Sequence, residues 1–220
     1  LATTMAEAVL AWTLYLHRDM PRYGRQQRAA VWQEHPLVRT SDRRVGILGL
    51  GALGRAAAQA LTAQGFPVAG WSRSPKAVEG VACLDGAAGF DVLLRRSDIV
   101  VNLLPHTDET VGLLDAAAFA TMPTGASLIN FGRGQAVDDD ALLAALDRGH
   151  LGHAVLDVFD IEPLPSGHPY WSHDAVTVLP HISGPTSADT AAVIAAANIR
   201  RFLGTGKLPT DALVDRARGY

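Results

Sequence analysis

The stretch RRVGILGLGALGRAAAQALTAQG, residues 43–65, decides the fold. Val45 to Leu48 form a continuous apolar run, the pattern of a strand buried on both faces. Gly49, Gly51 and Gly54 follow in G-x-G-x-x-G spacing, and an Ala-rich helix over 53–64 closes at Gly65. In a strand-to-helix turn the first glycine permits the tight bend. The second lets backbone approach a pyrophosphate, and the third lets helix pack on strand. The N–H groups of Ala52 and Leu53 then face the phosphates with the helix dipole behind them. Glycines alone mark plain turns; between a strand and a helix they predict a dinucleotide site.

Outward from this unit the pattern repeats. PVAGW (67–71), DIVVNLLP (98–105), ASLINF (126–131), LGHAVLDVF (151–159) and AVTVLP (175–180) read as strands. AAGFDVLLRRS (87–97), DAAAFATM (115–122), DDALLAALDRG (139–149) and SADTAAVIAAANIRRFLG (187–204) read as helices. Asp138 to Asp140 suit the N-terminus of the third of these, and Arg148 with Gly149 its end. Strands alternating with helices at these lengths predict right-handed βαβ units in an α/β fold, a doubly wound parallel sheet of Rossmann type. Ligands of such sheets bind beyond the carboxyl ends of the strands.

With 220 residues, 48% hydrophobic and 19% charged, the chain has material for a sizeable core. A net charge of −3 gives no reason to expect nucleic acid or an anionic membrane as partner. The single Cys83 forms no internal disulfide, which suits a cytoplasmic setting. LATTMAEAVLAWTLYLHRDM superficially resembles a targeting segment, but Glu7 interrupts it and no basic region precedes it. It reads instead as a helix, capped by Thr3 or Thr4 with Glu7 as capping-box acid, and striped by Val9, Trp12 and Leu16. The chain opens on Leu, so residue 1 is not expected to be the natural start. Residues 21–43 read as polar and irregular.

After the second strand, where an NAD-binding unit usually carries an acid for the ribose 2′-hydroxyl, the sequence is GWSRSPK (70–76). Ser72 stands in that place, followed by Arg73, with Ser74 and Lys76 nearby. A small hydroxyl beside a guanidinium suits a 2′-phosphate, so the expected cofactor is NADP, with NADPH preferred over NADH.

Past three late strands come Arg133 in NFGRG, Glu162 in DVFDIEP and His181 in VLPHISG. Each alone fits an ordinary loop; a parallel sheet gathers such strand ends at one crevice. An Arg binds a carboxylate bidentately and polarises a neighbouring carbonyl. A His held by a carboxylate is a proton donor near neutral pH. Beside a nicotinamide this set suits reduction of a 2-keto acid to a 2-hydroxy acid. Gly132 and Gly134 leave space on both sides of Arg133, as turn glycines also would. His150 and His153 read as surface polar residues and not as metal ligands, so no metal is expected. Trp171 reads as packing.

The chain resembles the NAD(P)-binding half of the D-2-hydroxyacid dehydrogenase family. The likeness lies in MAEAVLA, VGILGLGALGR, NLLPHTDET, LINFGRG, ALLAALDRGHLGHAVLDVFDIEPLP and VTVLPHISG, and covers essentially the whole chain. GFPVAGWSRSPK and the tail VDRARGY carry it toward the glyoxylate/hydroxypyruvate reductase A branch. The resemblance implies that Arg133 binds the substrate carboxylate and carbonyl, that His181 is the acid/base and that Glu162 orients it. It implies that Asp157 contacts the nicotinamide carboxamide, and that Leu104, Pro105, Phe131, Gly132, Ser183 and Gly184 line the cofactor. Residues 1–18 become an interdomain crossover helix, 19–187 the dinucleotide-binding domain, and 188–220 a return helix and tail. Most of the substrate domain is then absent from the chain. Both end helices are expected to be orphaned, exposing Val9, Trp12 and Leu16, and the chain alone to be catalytically feeble. A homodimer is implied by analogy. Other members of the family, of phosphoglycerate or D-lactate type, and a non-catalytic dinucleotide sensor are the competing readings.

Overall fold

A computed structural model describes residues 1–185 and 188–207. Its centre is a seven-stranded parallel sheet in the order β3-β2-β1-β4-β5-β6-β7. The strands are β1 (Val45–Leu48), β2 (Val68–Ser72), β3 (Ala82–Asp85), β4 (Ile99–Asn102), β5 (Ala126–Asn130), β6 (Leu151–Leu156) and β7 (Val176–Val178). The helices are α1 (Ala2–His17), α2 (Met20–Arg28), α3 (Ala52–Ala63), α4 (Gly86–Arg96), α5 (Ala116–Thr121), α6 (Asp139–Asp147) and α7 (Ala188–Thr205). From β1 the chain winds outward to β3, then returns to β4 on the other side. That reversal between β1 and β4 is the switch point where a doubly wound sheet opens a ligand crevice.

Because successive strand residues face opposite sides, each central strand feeds two cores. Val45, Ile47, Ile99, Val101 and Ile129 pack with α1 and α3. Leu48, Val100 and Leu128 pack with α4, α5 and α6. This two-sided burial is why the strands read as unbroken apolar runs.

Three expectations are corrected, and one strand was not foreseen. α1 is not orphaned: Met5, Val9 and Leu16 are buried in the same core as Ala57, Ala58 and Leu61 of α3. The small alanines give α1 a flat surface to lie on. Its N-cap is Leu1 without a side-chain cap, so neither Thr3 nor Thr4 performs that task. Residues 21–43 are not wholly irregular, since α2 begins with Pro21 in its first turn, a position where the missing N–H costs nothing. β3, a half-exposed edge strand carrying Cys83, lacked a readable apolar pattern and forms by pairing with β2. α7 does expose apolar residues: Val193 is 70% and Leu203 78% exposed. The return segment is described from 188 to 207, with its helix ending at Thr205; Ser187 and the tail VDRARGY lie outside the described residues. Among the described residues no helix is long and apolar enough to cross a membrane.

Candidate active site

The glycine turn has the form its spacing predicts. Gly49 has φ +101°, in the region that favours glycine. A Cβ on Gly54 would lie 1.8 Å from the Gly49 carbonyl oxygen, so helix and strand meet there at backbone distance. A Cβ on Gly51 would meet nothing within 4 Å, which leaves its outer side open for a phosphate. α3 starts at Ala52 without a side-chain cap, and Ala52 and Leu53 lie at its head. The turn therefore fits a dinucleotide pyrophosphate.

At the end of β2, Ser72 is buried and donates its hydroxyl to the Ser74 carbonyl at 2.7 Å. It braces the turn that carries Arg73, and its proton is committed to that backbone bond. Arg73 is exposed and its Nη1 donates to Glu109 Oε2 at 2.6 Å. Lys76 is exposed on the same turn.

Of the three ionisable groups past the late strands, Glu162 and His181 are in direct contact. Glu162 accepts from the Phe159 backbone N–H at 3.0 Å through Oε1, and its Oε2 lies 2.7 Å from His181 Nδ1. Burial raises the pKa of Glu162, but hydrogen bonds from His181 and from the Phe159 N–H outweigh it. The charges of His181 and Arg133 act the same way, holding the carboxyl below its ordinary range. His181 has φ +55°, a left-handed backbone that costs energy in a non-glycine residue and is held by its surroundings. Those surroundings are Asp157, 2% exposed, whose oxygens accept from the Ile182 N–H at 2.8 Å and the Ser183 N–H at 2.9 Å. Asp157 thereby anchors the His181 loop, a role its sequence position did not announce. The connection bearing Glu162 is pinned in turn by buried Tyr170, whose hydroxyl donates to Asp139 at 2.8 Å.

Arg133 follows β5 and donates through Nη1 to the Gly132 carbonyl at 2.7 Å. The glycines beside it are required by packing. A Cβ on Gly132 would stand 2.7 Å from the Leu104 carbonyl oxygen, and one on Gly134 would stand 1.9 Å from the Phe159 carbonyl carbon. They admit the backbone of the neighbouring strand ends. Beneath them Asn102 and Asn130, register partners at the ends of β4 and β5, are fully buried. Asn102 Nδ2 donates to Asn130 Oδ1 at 2.9 Å, and Asn130 Nδ2 donates to the Arg133 carbonyl at 3.2 Å. Sequence reasoning passed over both, although an Asn closing an apolar strand twice at one level was the available signal.

Of the other expected cofactor residues, Leu104, Phe131 and Ser183 are buried, and Pro105 and Gly184 are half-buried. The Ser183 hydroxyl has no partner among the described residues. Trp171, expected to pack, is 52% exposed and donates its indole N–H to the Pro165 carbonyl at 2.9 Å. His153, expected at the surface, is 5% exposed, whereas His150 is half-buried with Nε2 2.9 Å from the Phe119 carbonyl. Among the described residues no cluster of side chains is suited to a metal ion.

Residues 10–183 match the family described as D-isomer specific 2-hydroxyacid dehydrogenase, NAD binding domain. The glyoxylate/hydroxypyruvate reductase A of Serratia proteamaculans is 41% identical over 220 residues, covering 100% of this chain and 70% of that protein. A D-isomer specific 2-hydroxyacid dehydrogenase of Xanthobacter autotrophicus, solved in complex with NADPH and MES, superposes with a TM-score of 0.95 at 46% identity. That match covers 100% of this chain and 90% of that one. The NADPH-dependent glyoxylate/hydroxypyruvate reductase of Sinorhizobium meliloti, solved with NADP and sulfate, also gives a TM-score of 0.95, at 38% identity, over 100% of this chain and 70% of that one. Fold, glycine turn and profile agree: the chain belongs to the NAD(P)-dependent D-isomer-specific 2-hydroxyacid dehydrogenases and carries their NAD-binding domain.

Proposed function

We propose that the protein reduces glyoxylate or hydroxypyruvate, to glycolate or D-glycerate, with NADPH. The observation that carries this reading is the 2.7 Å contact of Glu162 with His181 at the strand edge that also bears Arg133. When bound, the nicotinamide supplies the hydride for the carbonyl carbon. Arg133 binds the substrate carboxylate and polarises the carbonyl. His181 gives the oxygen its proton, and Glu162 orients the imidazole and balances its charge. The glycine turn and the head of α3 bind the pyrophosphate, and Arg73 the 2′-phosphate. Phe131, Gly132, Leu104, Pro105, Ser183 and Gly184 border the nicotinamide side.

The domain division follows the same reading, with residues 1–18 as crossover, 19–187 as the nucleotide domain and 188–220 as the return segment. A second copy of the chain is the partner we assign to the arm after α2. There Trp32 is 96%, Val31 48% and Leu37 68% exposed, apolar side chains that contact with a second copy would remove from water. The single Cys83 favours the cytoplasm.

The test is oxidation of NADPH by the protein with its substrate-binding lobe, offered glyoxylate, hydroxypyruvate, pyruvate and phosphohydroxypyruvate in parallel. The reading expects the first two to give the highest kcat/KM. A preference for pyruvate or phosphohydroxypyruvate moves the protein to another branch of the family, and turnover of none supports a sensor.

A further inference from the structure

The ion pair between Arg73 and Glu109 stands where the adenosine end of the cofactor belongs, and the proposed function leaves Glu109 without a role. Arg73 follows β2 and Glu109 belongs to the loop after β4, while β1 and its glycine turn run between those two strands. The pair, Nη1 to Oε2 at 2.6 Å, therefore reaches across the crevice at the switch point. Both of its supports are braced. Ser72 donates to the Ser74 carbonyl within the Arg73 turn. On the other side buried Thr110 donates its hydroxyl to the Pro105 carbonyl at 2.7 Å and accepts from the Thr107 N–H at 2.9 Å, fixing the loop on both sides of Glu109. A carboxylate is thus delivered from the β4 loop to the place where β2 itself has none.

We propose that Glu109 is a specificity-determining residue for the cofactor, restraining the preference for NADPH and retaining use of NADH. The inference rests on the reading of Arg73 as the 2′-phosphate ligand. A 2′-phosphate approaching Arg73 meets a carboxylate that already shares the guanidinium, and two like charges at one exposed cation repel. The ribose 2′-hydroxyl of NADH can instead donate to that carboxylate, as it does to the acid that ends the second strand of other NAD-binding units. Glu109 supplies that acid from a different strand.

The experiment measures Kd for NADPH and for NADH by the fluorescence of the reduced nicotinamide, which needs no turnover. It compares the wild-type chain, Glu109→Gln and Glu109→Ala, at low and high salt, after thermal unfolding has shown each variant to be folded. In Glu109→Gln, NADPH should tighten roughly two- to fivefold, the size of an exposed charge interaction. NADH should weaken, so the ratio moves toward NADPH, and the NADPH effect should shrink at high salt. Glu109→Ala must move the ratio the same way. A ratio unchanged or moved toward NADH in both variants overturns the proposal. The wild-type ratio is read separately: a wild type that binds NADH better removes the cofactor reading, while the shift in the variants still decides the role of Glu109.

Discussion

Asn102 and Asn130 sit at the same level of adjacent strands and hydrogen-bond through their side chains at 2.9 Å, both sealed from solvent. The second of them also holds the Arg133 carbonyl. Replacing Asn130 with Ala leaves the Asn102 side-chain amide and the Gly132 N–H without their partner in the interior. The expected cost is about 1–3 kcal/mol of stability, read in urea unfolding. A raised KM for the keto acid should accompany it, with cofactor affinity nearly unchanged.

The acid–base pair gives the largest expected effect on rate. His181→Ala or Arg133→Ala should lower keto-acid reduction by about 10²–10⁴-fold while cofactor still binds. Near wild-type turnover in either variant removes that residue from the mechanism. Since the Glu162 carboxyl is held below its usual 4.5, its contact with His181 persists through mildly acidic pH and is lost only as pH falls through that depressed value. Glu162→Gln should remove this acid limb from the pH profile.

His153 predicts a pH-dependent stability unrelated to catalysis. Burial, with smaller contributions from the Arg25 and His173 charges, lowers its pKa from 6.5 to about 4. The folded chain holds it neutral while the unfolded chain protonates it below about pH 6.5, so stability falls as pH drops from there toward 4. Between about pH 7.5 and pH 5 the loss should be about 2 kcal/mol. His153→Gln, which can keep a hydrogen bond to Thr177, should flatten that part of the curve in thermal melts.

Arg73→Ala should weaken NADPH roughly tenfold and leave NADH nearly unchanged. Kd for both nucleotides at one ionic strength checks it. An equal loss for the two cofactors would reassign Arg73 to a part of the nucleotide that they share. Ser72→Asp should disturb the turn, because Ser72 is buried and its hydroxyl is committed to Ser74.

The doubly wound sheet was legible because its central strands are buried on both faces and so read as apolar runs ending in glycine or polar punctuation. Edge strand β3 was not, since its half-exposed residues carry no period and only pairing with β2 makes it a strand. Arg133, Glu162 and His181 were legible as chemistry at strand ends, an argument from topology that needs no distances. What stayed hidden were relationships between distant segments. Asp157 turns toward the His181 loop, Glu109 reaches Arg73 across β1, and Gly134 makes room for the Phe159 backbone. No local pattern encodes a partner so far along the chain, because the contact exists only once the sheet has placed the two ends side by side.

Gly134 pressed on Phe159, Glu162 bound to the Phe159 N–H, and Asp157 bound to Ile182 and Ser183 together tie three successive strand-end loops into one body. The groups proposed to act on the substrate are therefore aligned when the chain folds and need not be gathered again in each catalytic cycle. The ordering entropy of this wall is met once per folding event, so entropic losses during turnover fall on the substrate and on whatever closes over it.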